Sequence, residues 1–405
     1  MSLCFDSARL RNPDLTEEHL TWREQLRRFI DAEITPNVDT WDEQGFLPPE
    51  LWAKAAGTGM MGMGYPEEYG GTSEGIDIHY RNILSEELAR TSLGGLPSTL
   101  LSHGIGLPPV LAFGSDELKQ TVIPPILAGE KRISLAITEP SGGSDVANLQ
   151  TTARREGDYY IVNGSKTFIS GGMGADWITT GVRTGGEGGS GISVLVIPAD
   201  AEGVSRTPLD KKQGWWCSDT ATIYFDNVKV PVGNLLSEEG HGFFVIAHNF
   251  NAERLSMSVM MEASARVCLE EAVNWARDRK TFGKRLADHQ VIRHKIAEMK
   301  QRILDNLISF SQPEMTANAS AMLTQVSEGL NMDRSTIQKR AKKVLKHLLH
   351  HYANFSVETI DRFNHRLIRT FARDLKLASN FEVSLDTSQL VAEAVDQLLS
   401  KVGED

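Results

Sequence analysis

Cysteine is scarce in this chain: Cys4, Cys217 and Cys268 are the only three in 405 residues. They lie far apart, with no CxxC and no Cys/His ligand spacing, so no metal site is read from them. Reduced, mostly buried thiols of a cytosolic protein are the expectation. Long apolar runs are missing as well. Nothing approaches the roughly 20 residues that a membrane helix needs. Met1–Leu10 lacks a basic start followed by an apolar stretch, so a cytoplasmic protein without signal peptide or membrane span is expected. Positive charge is outweighed, and the net charge of −11 argues against general nucleic-acid binding. Familiar nucleotide loops are absent too. Gly164-Ser-Lys-Thr167 ends like a phosphate loop but has no GxxxxGK[ST] pattern, and it is read as structure in a hairpin. Gly104-Ile-Gly106 starts like a dinucleotide loop, but Pro109 stands where the third glycine belongs. No Ser/His/Asp constellation is found.

What is present is an ordinary globular composition, 40% apolar and 23% charged, in a chain long enough for two or three domains. The texture is helical to about Glu130. Thr16 is placed to cap a helix running towards Ile34, with Trp22, Leu26, Phe29 and Ile30 on one face and Pro36 as its stop. Pro49 to Ala56 reads as a second helix, with proline at its start. Ile83, Leu84, Leu88 and Ala89 mark a further helical face. From Ile133 to Pro231 the pattern is β. Asn163-Gly164, between two β-rich runs, is the strongest hairpin signal, because this pair accepts the positive φ angles of a type I′ turn. Ile192–Pro198 and Thr220–Phe225 read as strands, and Gly185 to Gly191 as an exposed turn. Helices return from Gly242. Leu255, Val259, Ala263 and Val267 step by four; after a break at Phe282-Gly283, Ile292, Ile296, Met299, Ile303, Leu307 and Phe310 continue the rhythm. The order is therefore α, then β, then α.

One stretch stands out: Ile137-Thr-Glu-Pro-Ser-Gly-Gly-Ser-Asp145, a strand end followed by small polar residues able to hold an anion or a polar ring edge. Alone it is a plain loop. It is followed, in order, by NGSKTFISGG (Asn163–Gly172), CSDT (Cys217–Thr220), DNVKVP (Asp226–Pro231) and RKTFGKRLADHQ (Arg279–Gln290). This ordered set, from about Glu17 to Ile303, resembles the acyl-CoA dehydrogenases. The resemblance implies an α+β multidomain fold: an N-terminal helical domain (1–130), a middle β domain (131–240), the start of a C-terminal helical bundle (241–303) and a helical tail (304–405).

The resemblance also implies roles. FAD is the cofactor. Leu135, Ile137 and Thr138 match the segment that holds the flavin ring by backbone and hydroxyl. Ser144 matches the serine near the flavin pyrophosphate and the CoA arm. Phe168 and Ser170 match the aromatic and hydroxyl at the flavin face and edge. Arg279, Phe282 and Gln290 match residues reaching the FAD of a neighbouring subunit, Arg279 offering a planar cation to phosphate. Their bland readings are a core aromatic, a hairpin hydroxyl and a solvated charged turn. Dehydrogenating an acyl thioester needs a carboxylate to take the Cα proton, and a cofactor to take the Cβ hydride, since no side chain can. Asn251-Ala-Glu-Arg-Leu255 carries Glu253 at one of the two places where the family keeps its base; Arg254 beside it is a candidate CoA or helix-anchoring contact. The competing reading of Glu253 is a first-turn glutamate favoured by the helix dipole.

After Ile303 the resemblance ends, and the family's Q-x-x-G-G-x-G segment and late glycine-rich loop are not found. Residues from about 297 resemble an internal piece of UvrD/Rep-like helicases, without Walker A or Walker B motifs. A chimera joined near Ala297–Ile303 is the reading, with the bundle truncated and FAD binding weakened. The function implied is FAD-dependent α,β-dehydrogenation of an acyl-CoA in fatty acid metabolism, with electrons passed to an electron-transfer flavoprotein or similar acceptor. A homo-oligomer is expected, though the family's tetramer depends partly on the segment this chain lacks. The alternatives are a flavin oxidase using O₂ on the same fold, and an inactive chimera whose basic tail, with Arg334, Lys339, Arg340, Lys342 and Lys343, binds a partner or DNA.

Overall fold

A computed structural model of the chain describes residues 14–295, 333–336 and 338–339, apart from a few side chains of one long helix. The junction placed at Ala297–Ile303 and nearly all of the tail from 304 lie outside the described residues. Two compact units are distinguished, one running to Ala272 and one starting at Val273.

The first unit opens with α1 (Glu17–Phe29). Thr16 caps it as expected, in a reciprocal pairing in which the His19 ring replaces the usual glutamate: His19 Nδ1 lies 3.0 Å from the Thr16 N–H. Pro36 does not stop the helical path where the sequence suggested. The chain widens into a π turn (Ile30–Ile34), tightens into a 3₁₀ turn (Thr35–Asn37) and starts α2 (Val38–Gln44), which the sequence reading missed. Proline is tolerated because it sits in the first turn of the new segment, where no N–H is needed. Then come α3 (Glu50–Ala56), α4 (Ile78–Ala89), α5 (Gly95–Leu100), α6 (His103–Gly106), α7 (Pro108–Phe113) and α8 (Asp116–Leu127). Asp77 caps α4 by accepting from the His79 N–H at 2.8 Å. Leu26, Ile30, Ile34, Leu88, Leu96 and Leu100 form the core of this helical part.

The sheet contains β1 (Ile133–Ala136), β2 (Thr152–Glu156), β3 (Tyr159–Ser170), β4 (Trp177–Arg183), β5 (Ile192–Pro198), β6 (Val204–Pro208), β7 (Thr220–Pro231) and β8 (Leu235–Leu236). The path is β6-β7-β3-β2-β4-β5-β8, with β1 lying parallel to β4. The hairpin expected at Asn163-Gly164 is not there. β3 runs straight through the pair, and the turn falls earlier, at Gly157-Asp158 between β2 and β3, with Gly157 at φ 61°. Asn163-Gly164 instead marks a register shift against β7. Gly164 takes φ 145°, and a Cβ there would lie 2.7 Å from Thr151 Oγ1, so this glycine serves a bulge and a close approach. The glycine-rich turn at 185–191 is mostly exposed, but Gly191 is buried because its Cα faces the Gly186 backbone.

Helix α9 (Gly242–Asp278) follows, with Val245, Ile246, Met260, Ala263 and Val267 buried. In the second unit, two short strands, β9 (Lys280–Thr281) and β10 (Lys284–Arg285), pair around the predicted break. Phe282 and Gly283 both take positive φ, 52° and 74°, as a type I′ turn requires.

Candidate active site

Two strand ends meet in the first unit. The chain leaving β1 carries Leu135, Ile137 and Thr138; the end of β3 carries Phe168 and Ser170. The Thr167 N–H donates to Thr138 O at 2.9 Å, and Ser134 Oγ donates to Ser170 O at 3.0 Å. The five residues that the motifs assigned to a flavin ring are thus brought to one place. Leu135 and Thr138 are half-buried, and Ile137 is packed in the core. Among the described residues nothing accepts the Thr138 N–H, which leaves it open to a ligand.

Phe168 is not the core aromatic of the bland reading. It is 61% exposed and sits at φ 59°, in the left-handed region, inside the second register shift of β3. A bulky residue held there costs about 1–3 kcal/mol, and such strain clusters at functional sites. The CSDT segment holds this strand end in place. The Gly171 N–H donates to Asp219 O at 2.8 Å, Thr99 Oγ1 donates to Ser218 Oγ at 2.8 Å, and the Cys217 N–H donates to Asp42 Oδ1 at 3.0 Å. Burial and the neighbouring Asp42 push the Cys217 thiol up to about 12, so it is inert near neutral pH. Cys268, expected to be buried, is exposed.

The turn Glu139–Gly142 closes on itself through two 3.0 Å backbone bonds and leads to Ser144, which is exposed. Ser144 and Val146 form one wall of a cavity of about 400 Å³. The other wall is the first turns of α9: Phe243, Phe244, Ile246, Ala247, His248 and Phe250. Phe113 packs edge-on against Phe244 and His248, with ring centroids 5.9 and 5.5 Å away. Sequence reasoning did not foresee this aromatic wall; the run Phe243-Phe244 at the helix start was the available signal.

Glu253 lies on α9, one turn beyond Asn249 and two beyond Ile246. Ile246 is buried against the sheet, and Asn249 Nδ2 donates to Ile105 O at 2.9 Å, so this helix face is turned inward. Glu253 is half-buried, and its Oε2 is shielded from solvent. It belongs to the fourth turn of α9, past the reach of the dipole reading that places it in a first turn. The Arg254 side chain lies outside the described residues.

Arg279, Phe282 and Gln290 follow α9 in the chain. They belong to the second unit, all three exposed, Phe282 to 97%. Gln290 Nε2 lies 3.1 Å from His294 Nε2. Two residues the sequence reading passed over lie directly behind the strand ends: Lys166, dismissed as part of a structural hairpin, and Glu139. Lys166 is fully buried and its Nζ is 2.8 Å from Glu139 Oε1.

Known proteins resemble this chain over most of its length. Models of the acyl-CoA dehydrogenase N-terminal, middle and C-terminal domains match residues 16–130, 134–228 and 240–306. The acyl-CoA dehydrogenase AFT10-1 of Alternaria alternata is 37% identical over 344 residues, covering 80% of this chain and 78% of its own. Among solved structures, a probable acyl-CoA dehydrogenase of Mycobacterium abscessus superposes with a TM-score of 0.70 at 39% identity, covering 84% of this chain and 87% of that one. An acyl-CoA dehydrogenase of Bacillus anthracis in complex with FAD gives 0.67 at 28% identity, covering 84% of this chain and 56% of that one. This chain belongs to the acyl-CoA dehydrogenase family, a family of oxidoreductases that use FAD.

Proposed function

We propose that the protein removes a proton from Cα and a hydride from Cβ of an acyl-CoA thioester, giving the 2-enoyl-CoA, with FAD seated at the ends of β1 and β3. The observation that carries this is the strained, exposed Phe168 beside the open Thr138 N–H. A flat ring with a polar edge fits both: the edge on Thr138 and Ser170, the face on Phe168. FAD bound there supplies the two-electron acceptor that no side chain of this chain provides. Glu253 takes the Cα proton, its carboxylate lying on the helix face that Asn249 and Ile246 turn inward. Ser144 and the aromatic wall of α9 receive the thioester's CoA arm, the open cavity leaving room for a chain in extended form.

Arg279, Phe282 and Gln290, exposed on their unit, suit contact with the FAD of a second copy, which makes the working form a homo-oligomer. An electron-transfer flavoprotein is the proposed electron acceptor.

The test is the visible spectrum of the purified chain before and after anaerobic addition of a panel of acyl-CoA thioesters. Flavin bands that bleach with one thioester are expected. In E253Q the bands persist and bleaching slows by roughly 10²–10⁴-fold. A chain that stays colourless with added FAD, or an E253Q protein that bleaches at the parental rate, overturns the assignment.

A further inference from the structure

Lys166 stands on the long strand β3, where a lysine ordinarily faces water. Here it is fully buried. Its ammonium donates to Glu139 Oε1 at 2.8 Å and to the Ile137 carbonyl at 3.1 Å. Glu139 in turn accepts from the backbone N–H groups of Gln150 at 2.5 Å and Thr151 at 2.8 Å. Glu139 also closes the following turn on Gly142, and Thr138 O is taken by Thr167. Every residue from Ile137 to Glu139 is therefore tied down.

A buried ion pair seldom stabilises a fold more than an apolar pair of the same shape, because removing two charges from water costs about as much as their attraction returns. Fold stability alone gives no reason for a cation at this point. Burial pulls the Lys166 ammonium down to about 8, against the pull of Glu139, so the group is still protonated at neutral pH. The Lys166 charge and the backbone donors outweigh burial at Glu139 and hold its carboxyl below its usual value. The pair is thus charged, with its positive end on the Ile137 carbonyl.

That carbonyl and the Thr138 N–H are opposite ends of one peptide group. A cation on the oxygen draws electron density along the peptide and makes the N–H a stronger donor, as in any hydrogen-bonded chain in a low dielectric. The Thr138 N–H is the open donor of the candidate site.

We propose that Lys166 is a positioning residue whose charge, relayed through the Ile137–Thr138 peptide, favours the electron-rich reduced state of a flavin ring held at the Thr138 N–H. This rests on the placement of FAD proposed above. Glu139 acts with it by fixing the ammonium on Ile137 O and neutralising the excess charge. Lys166 itself touches neither substrate nor cofactor.

The test uses the full chain with FAD bound, and three proteins: the parent, K166R and the double variant K166M/E139Q. The double variant removes both charges, so it leaves no unpaired carboxylate in the interior, and the single glutamine oxygen keeps one of the two backbone bonds, from Gln150 or from Thr151. The readouts are the midpoint potential of the bound flavin and the FAD dissociation constant, with circular dichroism as the check on folding. In K166M/E139Q the reduced flavin is expected to lose about tenfold in relative stability, a drop of about 30 mV for a two-electron couple, while the dissociation constant changes by less than tenfold. K166R, which keeps a cation within reach of Ile137 O, is expected to recover most of the drop. A folded double variant with the parental potential overturns the relay. So does one that loses FAD altogether, which assigns the pair to holding the loop and not to tuning the ring. If the parent itself takes up no FAD, the placement of the cofactor fails, and the relay falls with it; that outcome is separate because it is read on the parent alone.

Discussion

His103, at the start of α6, should make the protein acid-sensitive. It is 5% exposed and has Tyr65 as a neighbour, with ring centroids 6.2 Å apart. Burial lowers its pKa from 6.5 to about 4, although the carbonyls of Met61 and Leu100 pull the other way. The neutral ring is therefore the folded form, and among the described residues its Nδ1 has no hydrogen-bond partner. Between pH 6.5 and 4 the unfolded chain binds a proton here that the folded chain does not. Stability consequently falls as pH drops through that window and is fully present above it. The size follows from the two limits: a shift of about 2.5 units at about 1.36 kcal/mol each gives roughly 3 kcal/mol. Much of a marginal stability of about 5–15 kcal/mol would go. Ser102, the preceding residue, has its Oγ 3.3 Å from a Cβ placed on Gly171, so the loss is felt next to the end of β3. The assay is urea unfolding of the FAD-loaded parent and H103N at several pH values. Paired carboxylates such as Glu139 also lose stability in acid, but they do so in both proteins and cancel in the difference. The parent should lose about 3 kcal/mol more than H103N between pH 6.5 and 4. Curves that run parallel across that range would refute the reasoning.

Two substitutions probe the strand ends. G164A should cost roughly 1–3 kcal/mol, because its Cβ would meet Thr151 Cα at 2.8 Å in a backbone already at φ 145°; a melting temperature equal to the parent's counts against the close approach. F168G removes a side chain that is 61% exposed while relieving its φ of 59°. The apo-protein should melt no lower than the parent, yet FAD should bind more weakly, since the ring's stacking surface is gone. A melt several degrees lower would show that Phe168 packs for the fold and not for a ligand.

The order α, β, α was legible because hydrophobic period changes with secondary structure, and that signal survives without knowledge of contacts. The ends of β1 and β3 were legible for a different reason: five short motifs fell in order, and the resemblance they carry together gave the residues there a chemical use. What stayed hidden depended on contacts remote in sequence. Asn163-Gly164 carries a turn's dihedral preferences, but the same freedom serves a bulge, and only the approach of Thr151 decides between them. Pro36 announces an end to helical hydrogen bonding, and a π turn ahead of it lets the chain proceed into α2. Phe282-Gly283 shows the opposite case, in which the local preference is met and the type I′ turn forms.

Lys166 marks the furthest limit of local reading. Between Ser165 and Thr167 on a strand, its neighbours suggest an exposed polar stretch, and no periodicity places an ammonium inward. The reason it lies inward is Glu139, 27 residues earlier, together with a carbonyl that needs a donor. A charge placed there leaves two signs that a sequence does not carry: complete burial, and an open N–H on the far side of the peptide it touches. Neither sign is expected of a lysine retained for folding, since a methionine of similar length would fill the space with no desolvation cost. The strain at Phe168 is the same kind of sign two residues further along the same strand, a cost to the fold borne where a ligand would sit. That two such costs fall on residues 166 and 168 argues that one bound group accounts for both.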